Sequence, residues 1–281
     1  MGLALGATPF CVIKEIINFV VNYGNRIMAN NKPLILITND DGIKARGIFF
    51  LADAVKEMGE VYIVAPDDAQ SGQSSAMSIY KPLRITAHPD YNGIKVFSVN
   101  GTPVDCVKLA LHTIMPRTPD LLLSGINHGS NAGNNIIYSG TMGAVLETCM
   151  LGVPSIGYSY LSHSPEADFT HTYDYIQSIT KCVIENGLPK DICLNINFPK
   201  GEIKGAKVVR AARGYWTEEY AEYIDPHGKP FYLLTGNFKN IEPDADDTDY
   251  YWLDRGYASI VPARPDQSAL DAKDTLKEYF E

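Results

Sequence analysis

"KPLILITNDDG" (Lys32–Gly42) is the stretch on which the fold turns. Lys32 to Thr38 is a continuous apolar run, the pattern of a strand buried on both faces. It breaks into two adjacent acids and a glycine. A helical stretch follows, with Ile48, Leu51, Val55 and Met58 at spacings of three and four, and Gly59 stops it. "VYIVAP" (Val61–Pro66) is a second apolar strand. Two such strands joined by a helix make a βαβ unit, parallel and with a right-handed crossover.

The alternation continues outward. "IKVFSV" (Ile94–Val99) reads as a strand, and "GTP" then opens a helix carrying Val104, Val107, Leu111 and Ile114. "PDLLLSG" is a strand, followed by a long Gly/Asn loop and a helix from about Thr141 to Leu151. "VPSIGYS" is another strand, Tyr173, Ile176, Thr180 and Val183 mark a further helix, and "DICLNINFP" returns as a strand. Strands alternating with helices predict an α/β fold: a mostly parallel, doubly wound sheet with helices on both faces.

From Trp216 the texture changes. "FYLLTGN", an acidic stretch from Glu242 to Asp254, "GYASIVPARP" and a polar C-terminal helix read as a β-hairpin/helix arm with a return strand. Such arms serve subunit contacts. The expected division is an N-terminal extension over residues 1–28, a catalytic core over 29–215, and an arm over 216–281 used in oligomerisation. In the extension, "FCVIKEIINFVVNY" is interrupted by Lys14 and Glu15, too short and too charged to span a bilayer, and no basic segment precedes it. It reads as a loosely attached amphipathic segment, or as sequence upstream of a native start at Met28.

Composition narrows the partners. The 281 residues carry 24 Lys and Arg against 33 Asp and Glu, a net charge of −9. Without a basic excess, a nucleic-acid backbone is not an expected partner, nor is a membrane. The five cysteines are odd in number, scattered, and set in apolar surroundings, as reduced thiols of a cytoplasmic protein are.

In open parallel sheets ligands bind beyond the carboxyl ends of the strands. There the sequence places Asn39, Asp40, Asp41 and Gly42 after the first strand, "DDAQSGQSS" with Ser71 and Gly72 after the second, "NGTPVD" after the third, and "SGINHGSNAGNNIIYSGTMGA" after the fourth. Every loop on that edge is small, polar and Gly-rich. The pair Asp40–Asp41 is the sharpest feature, because two like charges ~4 Å apart repel by about 4 kcal/mol at an effective dielectric of 20. A cation between them removes that cost, and all-oxygen donors suit Mg²⁺ or Mn²⁺. Ser71 and Asn127 are neutral oxygen donors on neighbouring loops. The competing reading is an Asp-Gly turn that merely caps the next helix. In "YSGTMGA", Ser139, Gly140 and Thr141 open a helix whose free N–H groups suit an anion, and "NGTPVD" is a weaker case of the same kind. Asn39, Gly72 and Asn131 complete the residues expected to face a phosphate. His128 is the one histidine inside this edge and a plausible proton carrier; His163 and the remaining histidines read as surface residues.

"ILITNDDG", "VAPDDAQSGQSS", "VNGTPVDCV", "SGINHGSNAG", "YSGTMGAVLE" and "GVPSIGYS" stand in this order. Together they resemble the SurE survival-protein family of metal-dependent 5′/3′-nucleotidases, from about Pro33 to Pro262. The resemblance implies a Rossmann-like core and one divalent metal ion per subunit, held by Asp40, Asp41, Ser71 and Asn127. It also implies an arm exchanged between subunits, dimers or tetramers, and dephosphorylation of nucleoside monophosphates, in some members of short polyphosphate. Met142 and Thr148 depart from the usual pattern, and neither is an expected ligand. The expected chemistry is metal-assisted attack of water on a phosphomonoester, with Asp40, Asp41 and Asn127 catalytic; direct attack by Asp40 is the alternative. Two rivals share parts of the pattern: a nucleotide-sugar glycosyltransferase, for which the chain is too short, and a receiver-like phospho-switch, which needs a later lysine that "VPSIGYS" does not supply.

Overall fold

The computed structural model describes residues 32–281, so the expected extension lies outside the described residues. Six strands of one nine-stranded sheet come from the apolar runs: β1 (Leu34–Thr38), β2 (Glu60–Pro66), β4 (Ile94–Val99), β5 (Leu121–His128), β6 (Ser155–Tyr160) and β7 (Cys193–Phe198). All of these pair in parallel along the sheet, for example Ile37 opposite Ile63 on one side of β1 and Thr38 opposite Ser124 on the other. Three strands complete it. β3 (Ile85–Tyr91) closes one edge as the antiparallel partner of β4, while β13 (Ala258–Ala263) runs antiparallel to β7 and parallel to β8 (Ala206–Val208). The order is β3-β4-β2-β1-β5-β6-β7-β13-β8.

Both faces are covered, and the alternation along β1 shows how. Ile35 and Ile37 pack under α1 (Arg46–Val55) and α4 (Tyr173–Asn186), through Ile48, Leu51, Ile176 and Ile179. Leu34 and Leu36 face α2 (Pro103–Leu109) and α3 (Gly140–Met150), through Val107, Met142 and Val145. All four β1 residues are buried; full burial of each aliphatic side chain contributes about 1.5–3 kcal/mol. The doubly wound reading is therefore correct. The four cysteines among the described residues are unpaired, and three of them are buried. No helix among the described residues is long and apolar enough to cross a membrane.

The sequence reading omits β3. Its exposed alternation and Pro89 hide an edge strand whose donors need no second neighbour. The arm is more finely divided than one hairpin. β9 (Gly214–Thr217) pairs with β12 (Asn237–Asn240), and β10 (Tyr220–Ile224) pairs with β11 (Pro230–Leu234), each as a separate two-stranded ladder. The return strand is β13, preceded by α5 (Asp249–Leu253) and followed by α6 (Lys273–Phe280).

Candidate metal and phosphate site

Strand order reverses around β1, since β2 and β4 lie on one side of it and β5 on the other. The crevice beyond the carboxyl ends of β1 and β5 is thus the topological switch point. Asn39 and Asp40, just past β1, are buried, and Asp41 is half-buried. The Asn39 amide donates to the Gly42 carbonyl at 3.0 Å, but its side-chain oxygen is buried without a partner among the described residues. Asp40 Oδ1 accepts from the Thr141 hydroxyl at 2.5 Å. Gly140 makes that approach possible, because a Cβ there would stand 2.8 Å from the Asp40 Cβ. Asp41 Oδ2 accepts twice from His128, from the backbone amide at 2.9 Å and from ring Nδ1 at 3.0 Å. An ionised carboxylate has no proton to give, so the His128 ring donates from Nδ1, and its buried Nε2 has no partner among the described residues.

Burial raises the Asp40 carboxyl to about 6, and the neighbouring Asp41 charge adds to the rise; the Thr141 hydroxyl and amide pull against it. No lysine or arginine among the described residues hydrogen-bonds or ion-pairs with either acid. The residues fit a small hard cation. Among the described residues, side-chain and amide donors are on Oδ1 of Asp40 and Oδ2 of Asp41, and the other oxygen of each suits the single-oxygen ligation that Mg²⁺ and Mn²⁺ accept. No cluster of three or more His, Cys, Asp or Glu suited to a metal occurs among the described residues, so further ligands would have to be neutral oxygens.

The neutral donors stand on loops pinned to the acids. The Gln70 amide donates to the Asp40 carbonyl at 2.6 Å, and Ser74 bonds through its amide to the Tyr138 carbonyl and through its hydroxyl to that of Ile137. Ser71 and Gly72, both exposed, lie on the span between these anchors. Asn127 precedes the histidine that holds Asp41 and commits its amide nitrogen to Gly129, so its oxygen is the end available to a cation. Asn131 gives its side-chain nitrogen to Ser159 at 2.8 Å.

The start of α3 differs from the sequence reading in one respect. Its first turn was expected to be free for a ligand, but the Ser139 hydroxyl caps Met142 and the Thr141 hydroxyl is on Asp40. Asn134 and Asn135, on the same loop, face the arm: Asn134 donates to the Gly214 carbonyl, and Asn135 lies between Trp216 and Tyr250. Two features escaped the sequence reading. His163 packs its ring against Gly129, where a Cβ would come within 2.4 Å of it. Asn195 and Asn197, read as strand residues, bond to the backbone of Asn131 at 2.8 Å each and hold the loop to β7. Nothing local in the sequence signals either contact.

Comparison with known proteins places this geometry. Residues 35–218 match the family described as Survival protein SurE. The chain is 44% identical over 253 residues to the 5′-nucleotidase SurE of Phocaeicola vulgatus, covering 90% of this chain and 98% of that protein. It is 48% identical over 248 residues to the 5′-nucleotidase SurE of Christiangramia forsetii, covering 86% and 95%. The crystal structure of the SurE protein from Aquifex aeolicus is similar with a TM-score of 0.76 at 35% identity, over 89% of this chain and all of that one.

Proposed function

The chain belongs to the SurE survival-protein family, and from that premise we propose that it is a divalent-metal-dependent phosphomonoesterase acting on nucleoside 5′-monophosphates, with 3′-monophosphates and short polyphosphate as further substrates. The observation that supports this most directly is the buried Asp40 beside Asp41 with no lysine or arginine on either acid among the described residues. Neither rival reading is supported. The nucleotide-sugar reading needs two Rossmann units, whereas the described residues form one large sheet, and the relatives are nucleotidases.

In this reading Asp40, Asp41, Ser71 and Asn127 hold one Mg²⁺ or Mn²⁺ per subunit. When bound, such an ion polarises a phosphoryl oxygen and makes water a better nucleophile. The chain's own residues set the geometry. His128 fixes the rotamer of Asp41 with two donors, and Thr141 fixes that of Asp40. Asn39, Gly72, Asn131 and the backbone of the Ser139–Thr141 turn, whose two hydroxyls are engaged within the chain, line the phosphate side. Water rather than Asp40 is the nucleophile in this reading, because Asp40 Oδ1 is engaged by Thr141 and Oδ2 is the oxygen that would hold the ion. Incubation of a nucleoside monophosphate with Mn²⁺ should release inorganic phosphate and EDTA should stop it, with a nucleotide-sugar untouched. Phosphate release that survives exhaustive chelation would overturn the reading.

Self-association as a dimer or tetramer, in the cytoplasm, completes the proposal. A two-stranded hairpin is marginal alone, yet all five residues of β11 are exposed, with Leu234 at 73% and Tyr232 at 58%. A second copy of the chain is the partner that would cover them. Leu234→Asp should shift the mass measured by light scattering to that of the monomer, and an unchanged mass would remove the arm from the interface.

A further inference from the structure

Asp249 opens α5 and is fully buried. Its carboxylate joins segments far apart in the chain. Oδ2 accepts from the Gly133 amide at 2.7 Å, and Oδ1 accepts from the amides of Ala212 at 2.9 Å and Tyr250 at 2.8 Å. Gly133 belongs to the loop that leaves β5 and carries Asn131 toward Ser139; Ala212 stands at the root of the arm. The joint is tightly packed. A Cβ at Gly133 would meet the Ala212 carbonyl and Tyr250 Cε2 at 3.0 Å and Phe238 Cζ at 3.2 Å, and Phe238 stacks on Tyr250 with ring centroids 4.8 Å apart. Two residues on, Asn135 donates to the Tyr250 hydroxyl at 3.2 Å and accepts from Trp216 Nε1 at 2.8 Å.

No lysine or arginine among the described residues pairs with this acid. Burial raises its carboxyl above the usual range while the amides pull it back. A buried charge without a counter-ion is a costly way to fill space. The geometry explains its presence: donors converge on both oxygens, and an asparagine would turn its own N–H₂ toward one of them.

We infer that Asp249 is a positioning residue that fixes the Asn-rich loop to the root of the arm, so that the substrate side of the site is set in place by the C-terminal segment. This rests on the proposed reading of Asn131 to Thr141 as the phosphate side. It gives the arm a second role besides self-association, because a shift at Ala212 moves Gly133 through one carboxylate.

The full-length Asp249→Asn variant, loaded with Mn²⁺, tests this. Its kcat/KM for a nucleoside monophosphate should fall about tenfold or more, since small misplacements of binding groups are costly. Mn²⁺ binding measured by calorimetry should stay within about threefold, as Asp40 and Asp41 are untouched. Amide hydrogen exchange should quicken over residues 129–138 and stay unchanged over 34–41, which a general loss of stability would not produce. Unchanged kcat/KM overturns the inference, whether or not the loop loosens. If that variant does not fold, Trp216→Phe removes one clamp on Asn135 and should move both readouts in the same direction; no movement in either overturns it. A wild-type protein without phosphatase activity would sink the proposed function, while the exchange comparison still decides whether Asp249 links loop and arm.

Discussion

Two of the helices that begin on the ligand edge of the sheet, α2 and α3, each have a carboxylate against the first turn. At α2 the acid is local. Thr102 accepts from the Asp105 amide at 3.2 Å and Asp105 accepts from the Thr102 amide at 2.9 Å, a reciprocal capping box, and Asp105 also receives the Ser78 amide at 3.1 Å. At α3 the first turn contains no acid, and Asp40 comes to it from 101 residues away. Both arrangements place negative charge at the positive end of a helix. They differ in what is left over. Asp105 is surrounded by amide donors and serves the chain. Asp40 has a like charge next to it and an unpartnered Asn39 oxygen nearby. Incomplete satisfaction separates the acid proposed to hold a cation from the acid that holds a helix.

The largest effect should come from Asp40→Asn, which keeps the shape of the side chain and removes its charge. Phosphate release from a nucleoside monophosphate should fall by about a thousandfold or more, with the fold retained by circular dichroism. An active variant would make Asp40 a second structural acid like Asp105 and erase the difference between the two helices.

The next effect is on stability and changes sign with metal. A carboxyl raised from 3.8 to about 6 corresponds to about 3 kcal/mol between its two protonation states. Because the folded value lies above the unfolded one, the unfolded chain gives up this proton first. The cost of ionised Asp40 is therefore absent below the unfolded value, grows as pH rises from about 4 to 6, and is fully present at neutral pH. Metal-free protein should gain stability on acidification from pH 7 toward 5, relative to Asp40→Asn, in urea melts. Added Mn²⁺ should reverse the order at pH 7, since binding only the folded state stabilises it. Identical pH profiles for the two proteins would show that Asp40 carries no such strain.

The contrast between local and remote acids also explains what could be read in advance. The sheet was legible because its strands are apolar on both faces and its helices repeat at three and four. β3 was not, because an edge strand with a burial pattern this exposed has no core signature. The Asp40–Asp41 pair stands out in the sequence because neighbouring like charges at a strand end repel, and the structure places both just past β1 at the switch point. The capping box at Thr102 lies within four residues, and there the structure overrides the reading of "NGTPVD" as a weak anion site, because Asp105 of the same motif fills that position. Thr141 on Asp40, His128 on Asp41 and Asp249 on Gly133 join residues 101, 87 and 116 apart. Such contacts depend on how the loops lie over the sheet, which no local pattern encodes.

The smallest predicted effect falls on α2. Thr102→Val keeps the volume of the side chain and removes the hydroxyl that receives the Asp105 amide and donates to the Ala76 carbonyl. Loss of a cap of this kind costs about 1 kcal/mol, which a denaturation midpoint resolves. Pro103, at the first helical position, and the Asp105 carboxylate remain to hold the helix start, so kcat/KM should change by less than about threefold. A fall comparable to that of Asp40→Asn would mean that the start of α2 reaches the substrate through the Ser71 loop, which Ala76 and Ser78 tie to it. The separation of a structural from a functional acid would then hold at neither helix.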